Sequence, residues 1–383
     1  MKVGAPAGET SERPATLAVG HSLPDLHIQQ VLAEGRSSAV YRALDMRSGD
    51  AVVLKEYLPA ALARREASGQ VQPLAPQLAA AYAAGLQSFL DEARWLMDVQ
   101  HPSLVRVLRC WQQDGTAYCL MPQVQGASLQ QWLAGLGMPP SESWLRQLLC
   151  PLMNALEVVH QRGGQHGDVS LHSIWLQFDN RAGSYLDHEP RPLLLGFNAA
   201  SRTLAQACAG AAPALHSGFG PIEQTDGAIA VRQGAWTDVY GLCAVLYAAI
   251  AGRPPPPSVA RMAQDDMVSA RKVGHGRYST AFLAAIDAGL AVRPHERVQN
   301  IEALRQQLGE PVMAFRAGAA TEGAAADANP GAPGAAGARH PGTLLAAWPA
   351  RPRTGGPVPR WLWPAAGGAV LLLLAMVGAL LRD

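Results

Sequence analysis

Few side chains in this sequence stand at a spacing that declares chemistry by itself. The five cysteines (Cys110, Cys119, Cys150, Cys208 and Cys243) are scattered singly, with no CxxC pair. That is neither a disulfide framework nor a zinc site, and it suits a reducing compartment. His160, His166 and His172 lack close metal-ligand spacing, so no metal site follows from them. Taken alone, Lys55 in "VVLK" is a strand-edge lysine and Glu92 in "FLDEAR" a solvated helix charge. Asp238 in "WTDVYGL" reads as an N-cap before an apolar helix. The information lies in the order of these segments and in the elements that must position them.

The first third of the chain reads as strands. "IQQVLAEG", "SAVYRALD" and "AVVLKEYL" are β-rich runs separated by Gly-containing turns such as "RSGD". "GLQSFLDEARWLMDV" places Leu86, Phe89, Leu90, Ala93, Leu96 and Met97 on one helical stripe. "LVRVLRCWQQDGTAYCLMP" reads as a hairpin turning at Asp114-Gly115. Helices dominate afterwards: "SWLRQLLCPLMNALEVVHQRG", with Ser143 as a candidate cap, then "TDVYGLCAVLYAAIAG", apolar nearly all round and closed by Gly252. "STAFLAAIDAGLAV" and "IEALRQQL" complete the series. The order is a small β-rich lobe with one helix, then a larger helical lobe, an α+β class.

Composition narrows the function. The 383 residues carry 31 Lys+Arg against 30 Asp+Glu, a net charge of +1, which gives no electrostatic case for nucleic acid as a partner. A hydrophobic fraction of 49% supports a sizeable core. The stretch 311–360 is Ala/Gly/Pro-rich and reads as a linker. The uncharged run 361–381, "WLWPAAGGAVLLLLAMVGALL", has about 20 apolar residues, the length of a transmembrane helix. Trp361 and Trp363 suit its interface. Arg351, Arg353 and Arg360 precede it, so the positive-inside rule keeps the N-terminal bulk in the cytoplasm. Residues 1–22 contain no apolar core of a signal peptide and read as a disordered tail. Ala365/Ala369 and Ala375/Ala379 have the spacing for a homodimer through the anchor.

The segments, in order, resemble the protein kinase fold over 23–310, with the N-lobe at about 23–122 and the C-lobe at about 123–310. Lys55 and Glu92 match the ion pair. "HGDVSLHSIWL" matches the catalytic loop, "LLLGFN" the DFG position, "GFGPIEQ" the APE segment with Glu223, "WTDVYGL" the buried helix with Asp238, and "RPHERVQ" the closing segment with Arg297. "LKEYLPAALARRE", "HPSLVRVL" and "GAWTDVYGLCAVLY" are similar to a group of bacterial Ser/Thr kinase-like membrane proteins.

The resemblance implies that Asp168 is the base position and that Lys55, Glu92, Gly35, Pro122 and Val124 surround any nucleotide. It implies structural roles for His166, Phe197, Glu223, Asp238 and Arg297, with Leu96 also at a spine-like position. The departures are specific. The two metal-ligand positions are Ser173 and Gly196, the catalytic-loop lysine is Ser170, the arginine before Asp168 is Gly167, and the glycine loop reads Ala33, Gly35, Ser38. Mg²⁺ demands near-octahedral oxygen ligands, normally including a carboxylate. The nearest acidic residues upstream of Gly196 are Asp187 and Glu189, expected in the preceding loop. Val53 and Trp175 stand where smaller residues line the adenine slot and would fill it.

The expectation is therefore a single-pass protein of the bacterial inner membrane with a cytoplasmic pseudokinase domain, a degenerate member that binds protein partners as a scaffold or allosteric regulator. No cofactor and no metal are expected; ATP stays open. Two alternatives stand beside it: an atypical Ser/Thr kinase that transfers the ATP γ-phosphate, and a metal-independent nucleotide sensor.

Overall fold

A computed structural model describes residues 16–178, 191–197, 199–207, 216–225 and 233–309. The chain divides into two units, Met1–Gly318 and Ala319–Asp383. The linker and membrane-span expectations at 311–360 and 361–381 lie outside the described residues, as do residues 1–15, Asp187 and Glu189. Among the described residues no helix is long and apolar enough to cross a membrane.

The N-terminal lobe is built on strands β1 (Ser22–Leu23), β2 (Leu26–Glu34), β3 (Ser38–Asp45), β4 (Ala51–Tyr57), β7 (Arg109–Gln113) and β8 (Thr116–Pro122). They form a six-stranded antiparallel sheet in the order β1-β2-β3-β4-β8-β7. Alternation does the sorting. Ala39, Tyr41 and Ala43 of β3, and Val52 and Leu54 of β4, face the core, while Val40, Arg42, Val53 and Lys55 share the other face. The β7–β8 hairpin turns at Asp114 (φ 50°) and Gly115 (φ 75°). Two successive positive φ values match the twist of the flanking strands.

One helix, α1 (Ala79–Asp98), crosses this sheet with Leu86, Phe89, Leu90, Ala93 and Leu96 buried. Met97, expected on that stripe, is exposed although the helical period keeps it on the buried face; it lies one residue before α1 ends at Asp98. One further correction and one element without a sequence signal concern this lobe. Leu17 is buried and its N–H donates to the Tyr41 hydroxyl at 3.1 Å, so packed structure reaches back to residue 16 rather than 23. A small hairpin, β5 (Ala63–Arg65) and β6 (Val71–Pro73), follows β4. It is held by Arg65, which pairs with the fully buried Glu56, itself bonded to the Tyr41 hydroxyl at 2.6 Å.

A three-stranded sheet, β9 (Gly126–Ser128), β10 (Ile174–Gln177) and β11 (Pro192–Leu194), with β10 central, underlies the junction of the lobes. The C-terminal lobe is helical: α2 (Leu129–Leu136), α3 (Glu142–Gln161), α4 (Ala199–Ala207), α5 (Ile222–Thr225), α6 (Ala235–Ala251), α7 (Ser258–Ala263), α8 (Ala270–Val273), α9 (Thr280–Gly289) and α10 (Ile301–Leu308). Every residue of α6 from Thr237 to Ile250 is buried, and Gly252 (φ 69°) closes it. The N-cap of α3 is Ser141, whose hydroxyl accepts from Trp144 N at 3.2 Å. The expected cap, Ser143, is already inside the first turn. Asp238 is likewise inside its helix, whose N-cap is Gly234; that frees its carboxylate for another element.

Candidate functional site: the catalytic-loop junction

Strand β4 and helix α1 meet through Lys55 and Glu92. The Lys55 Nζ lies 4.0 Å from Glu92 Oε1 and donates to the Phe197 carbonyl at 3.2 Å. A separation of 4.0 Å is the outer edge of an ion pair, so the lysine divides its charge between the carboxylate and a backbone oxygen. Glu92 is divided too. Its Oε2 accepts from the Ala199 N–H at 2.6 Å, at the N-terminus of α4, where the helix dipole favours an anion. Helix α4 is further tied to α1 by a Ser88–Thr203 hydroxyl contact of 2.8 Å. Leu204 sits so close to Gly85 that a Cβ there would come within 2.7 Å of it.

The loop carrying Asp168 is built on α6. Asp238 accepts from His166 N at 2.9 Å and from Gly167 N at 2.8 Å, and it pairs with His160 Nε2 at 2.8 Å. Burial pushes the Asp238 carboxyl up, but the His160 contact, the nearby His166 and the Gly167 N–H outweigh it and hold the group below the usual carboxylate range. His166 is itself buried, which pushes its imidazole down; its Nε2 contacts Leu195 O at 2.8 Å. Its ring lies 4.4 Å from that of Phe197. Glu223 and Arg297 form a fully buried pair at 2.7 Å, with Thr237 donating to the same carboxylate at 3.0 Å. Gln224 donates to Gly167 O at 2.8 Å.

Gly167 has φ +76°, and a Cβ built on it would fall 2.0 Å from an Arg202 guanidinium nitrogen. Arg202 of α4 thus occupies the space beside Gly167, donating to His166 O at 3.1 Å. A guanidinium does stand at this loop, but α4 delivers it.

The two positions that would hold a metal offer little to one. The Ser173 hydroxyl accepts from Ser170 N at 2.9 Å and donates to Ser170 O at 3.2 Å. It is spent on closing the loop, and the residue is buried. Gly196 has φ +78° and no side chain. This donor set does not fit Mg²⁺, which takes hard oxygen ligands in near-octahedral array. Among the described residues, no three His, Cys, Asp or Glu side chains converge on one point.

At the other end, Val53 is half-buried, paired across the sheet with Arg42 and Met121. The Trp175 indole, half-buried on β10, lies against Gly126; a Cβ on Gly126 would fall 2.4 Å from its Nε1. Gly126 lies just beyond Pro122 and Val124 in the chain, so the ring sits at the connection between the lobes. Gly35 N donates to Ser38 O at 2.8 Å, and a Cβ on Gly35 would meet that oxygen at 3.2 Å. The β2–β3 turn is thereby closed on itself.

Asp168 meets a residue that the sequence did not single out. His216 Nδ1 lies 3.4 Å from Asp168 Oδ1, and the His216 ring stacks on His172. No periodicity or local spacing links residues 48 apart; its place just ahead of "GFGPIEQ" was the one available signal. Arg202 and Gln224 were missed for the same reason.

The pattern of the protein tyrosine and serine/threonine kinase family matches residues 26–182. The solved apo form of PpkA-294 is 34% identical, with a TM-score of 0.65, covering 77% of this chain and 99% of that one. The PknI kinase domain of Mycobacterium tuberculosis, solved as a double mutant, has a TM-score of 0.54 over 77% of this chain and 98% of its own; at 18% identity it speaks for the fold alone. The mitogen-activated protein kinase kinase kinase ANP1 of Arabidopsis thaliana is 27% identical over 140 residues, 37% of this chain. That match spans 19% of the plant protein's length.

Proposed function

The chain belongs to the protein kinase family, and from that premise we propose that it is a degenerate member, a pseudokinase. It works by binding protein partners as a scaffold or allosteric regulator on the cytoplasmic face of a bacterial inner membrane. The observation that carries this reading is the fate of the two metal-ligand positions. Ser173 spends its hydroxyl on the Ser170 backbone, and Gly196 has no ligand to give. Phosphoryl transfer rests on positioning and on neutralising charge at the phosphates, and a site without those donors has no means of holding the metal that does both. Two features add to it. By the kinase resemblance, the Trp175 indole, which lies against Gly126, and the Val53 side chain would take up volume where an adenine ring slides in. Glu92 is turned to the N-terminus of α4 as much as to Lys55.

The membrane placement rests on the uncharged run 361–381 with Arg351, Arg353 and Arg360 before it. A single anchor would tether the domain at the membrane, and pairing through it would give a homodimer.

A second reading is favoured by one observation. Lys55, Glu92 and Asp168 are all present, with Lys55 and Glu92 within 4.0 Å. That is the basis for an atypical Ser/Thr kinase, or for a nucleotide sensor without metal. Thermal unfolding of the full chain, with and without millimolar ATP and with and without Mg²⁺, separates the three, because a ligand of the native state raises stability by mass action. The pseudokinase with a filled slot shows no shift. A shift with ATP alone identifies the sensor. A shift that requires Mg²⁺, with autophosphorylation lost in Lys55→Met and Asp168→Asn, overturns the proposal.

A further inference from the structure

Two segments far apart in sequence build a polar cluster over the catalytic loop. Asp168, Ser170 and His172 come from the loop, and His216 comes from the stretch leading into α5. His216 Nδ1 lies 3.4 Å from Asp168 Oδ1 and 3.4 Å from Ser170 Oγ. Its ring stacks on that of His172, centroids 4.3 Å apart and planes within 7°. The Asp168 side chain is only 14% exposed. Among the described residues, His216 is the one cationic side chain within ion-pair reach of it. Arg202 donates instead to His166 O.

We propose that His216 is a positioning residue that docks the 216–225 segment onto the catalytic loop through the Asp168 carboxylate, so that Asp168 acts as a clasp for that segment. A carboxylate largely withdrawn from water needs a partner, and Ser170, two residues on, brings a hydroxyl instead of a charge. The stack with His172 sets the plane of the His216 ring. Two stacked imidazoles do not readily both carry charge. The Asp168 contact raises His216 above the ordinary histidine range, while burial, and then the neighbouring His216, push His172 below it. When one of the two rings takes a proton, it is therefore the ring that faces Asp168. Beyond His216 the chain is fastened onward: Phe219 N donates to His216 O at 3.0 Å, Ser258 Oγ to Gly220 O at 2.9 Å, and Gln224 Nε2 to Gly167 O at 2.8 Å. A tie at His216 is thus carried along the whole segment. This role is independent of whether phosphate is transferred, and it goes beyond the pseudokinase reading.

The sign of the pH dependence follows. A histidine raised in the folded state contributes its stability fully below the unfolded value, and the contribution is lost as pH rises through the folded one. The test is amide hydrogen exchange on the full chain for wild type, His216→Gln, Asp168→Asn and the double variant, at about pH 6 and about pH 8.5 with exchange rates corrected for pH. At the lower pH each single variant speeds exchange of the 216–225 amides about two- to fivefold, the range of a half-exposed ion pair. The double variant adds nothing to either single one. At the higher pH wild type itself approaches the variants. Equal effects at both pH values, additive effects in the double variant, or unchanged exchange in 216–225 each overturn the clasp. Both substitutions keep size and polarity, so the thermal midpoint of each variant confirms that the comparison is made between folded chains.

Discussion

Two ends of one loop have been treated differently in this protein. At the end that faces α6, the buried carboxylates are met. Asp238 takes two backbone N–H groups and a histidine, and Glu223 takes Arg297 and Thr237. At the end that faces the β4 strand and the β2–β3 turn, Lys55 is kept, but Gly196 has no side chain and Ser170 and Ser173 bond to each other. The first end is a matter of folding and the second a matter of chemistry. The contrast teaches that the buried charges fastening a fold can be kept where two positions at its ligand end carry no charge.

The largest expected effect tests the folding end. Arg297→Met leaves the fully buried Glu223 without its partner and should cost about 3–5 kcal/mol in chemical denaturation. A loss under about 1 kcal/mol would dissolve the contrast. Asp238→Asn keeps the shape but replaces a charged acceptor, and should cost about 1.5–3 kcal/mol at neutral pH. The Asp238 carboxyl is held below its ordinary range, so its contribution is present above that range and disappears as pH falls through the folded value. The gap between wild type and Asp238→Asn should therefore close in acid and be constant above it.

Gly241→Ala probes the fit of α6 against the loop. The new Cβ would fall 2.8 Å from Val169 O and 2.9 Å from Val169 Cβ, so overpacking should cost about 1–3 kcal/mol. The ligand end predicts a gain instead of a loss. Trp175→Leu combined with Val53→Ala should lower the thermal midpoint slightly and create a shift with ATP that wild type lacks. An equal shift in wild type removes the filled slot. At the small end, Arg94→Ala, which removes an exposed i,i+3 pair with Asp91, should change stability by no more than about 0.5 kcal/mol.

Much of this was legible beforehand, for definite reasons. The strands β2, β3 and β4 follow from alternation, the α1 stripe from the helical period, and the hairpin at Asp114-Gly115 from the need for two positive φ values. Two local cap readings were replaced by something non-local, and one hairpin carried no local signal at all. Ser143 and Ser141 are equally plausible caps in a string, and packing of Trp144 and Leu145 chose the register. Asp238 looked like a cap because an acid precedes an apolar run, but its partner is a loop 72 residues upstream. The β5–β6 hairpin carries no alternation, and it rests on Arg65 reaching a glutamate buried in β4.

The residue types by themselves determined what two positions cannot supply: a glycine has no ligand, and a serine has no charge, wherever the chain places them. They also determined which faces had to be buried, because apolar periodicity allows few alternatives. Only the tertiary structure decided what the surviving polar groups do. Lys55 shares itself between Glu92 and a carbonyl, Arg202 stands beside Gly167, and His216 comes to Asp168 from 48 residues away. A hydrogen bond forms between atoms within about 3 Å of each other in space, and separation along the chain carries almost no information about that distance once helices and strands have folded it back on itself.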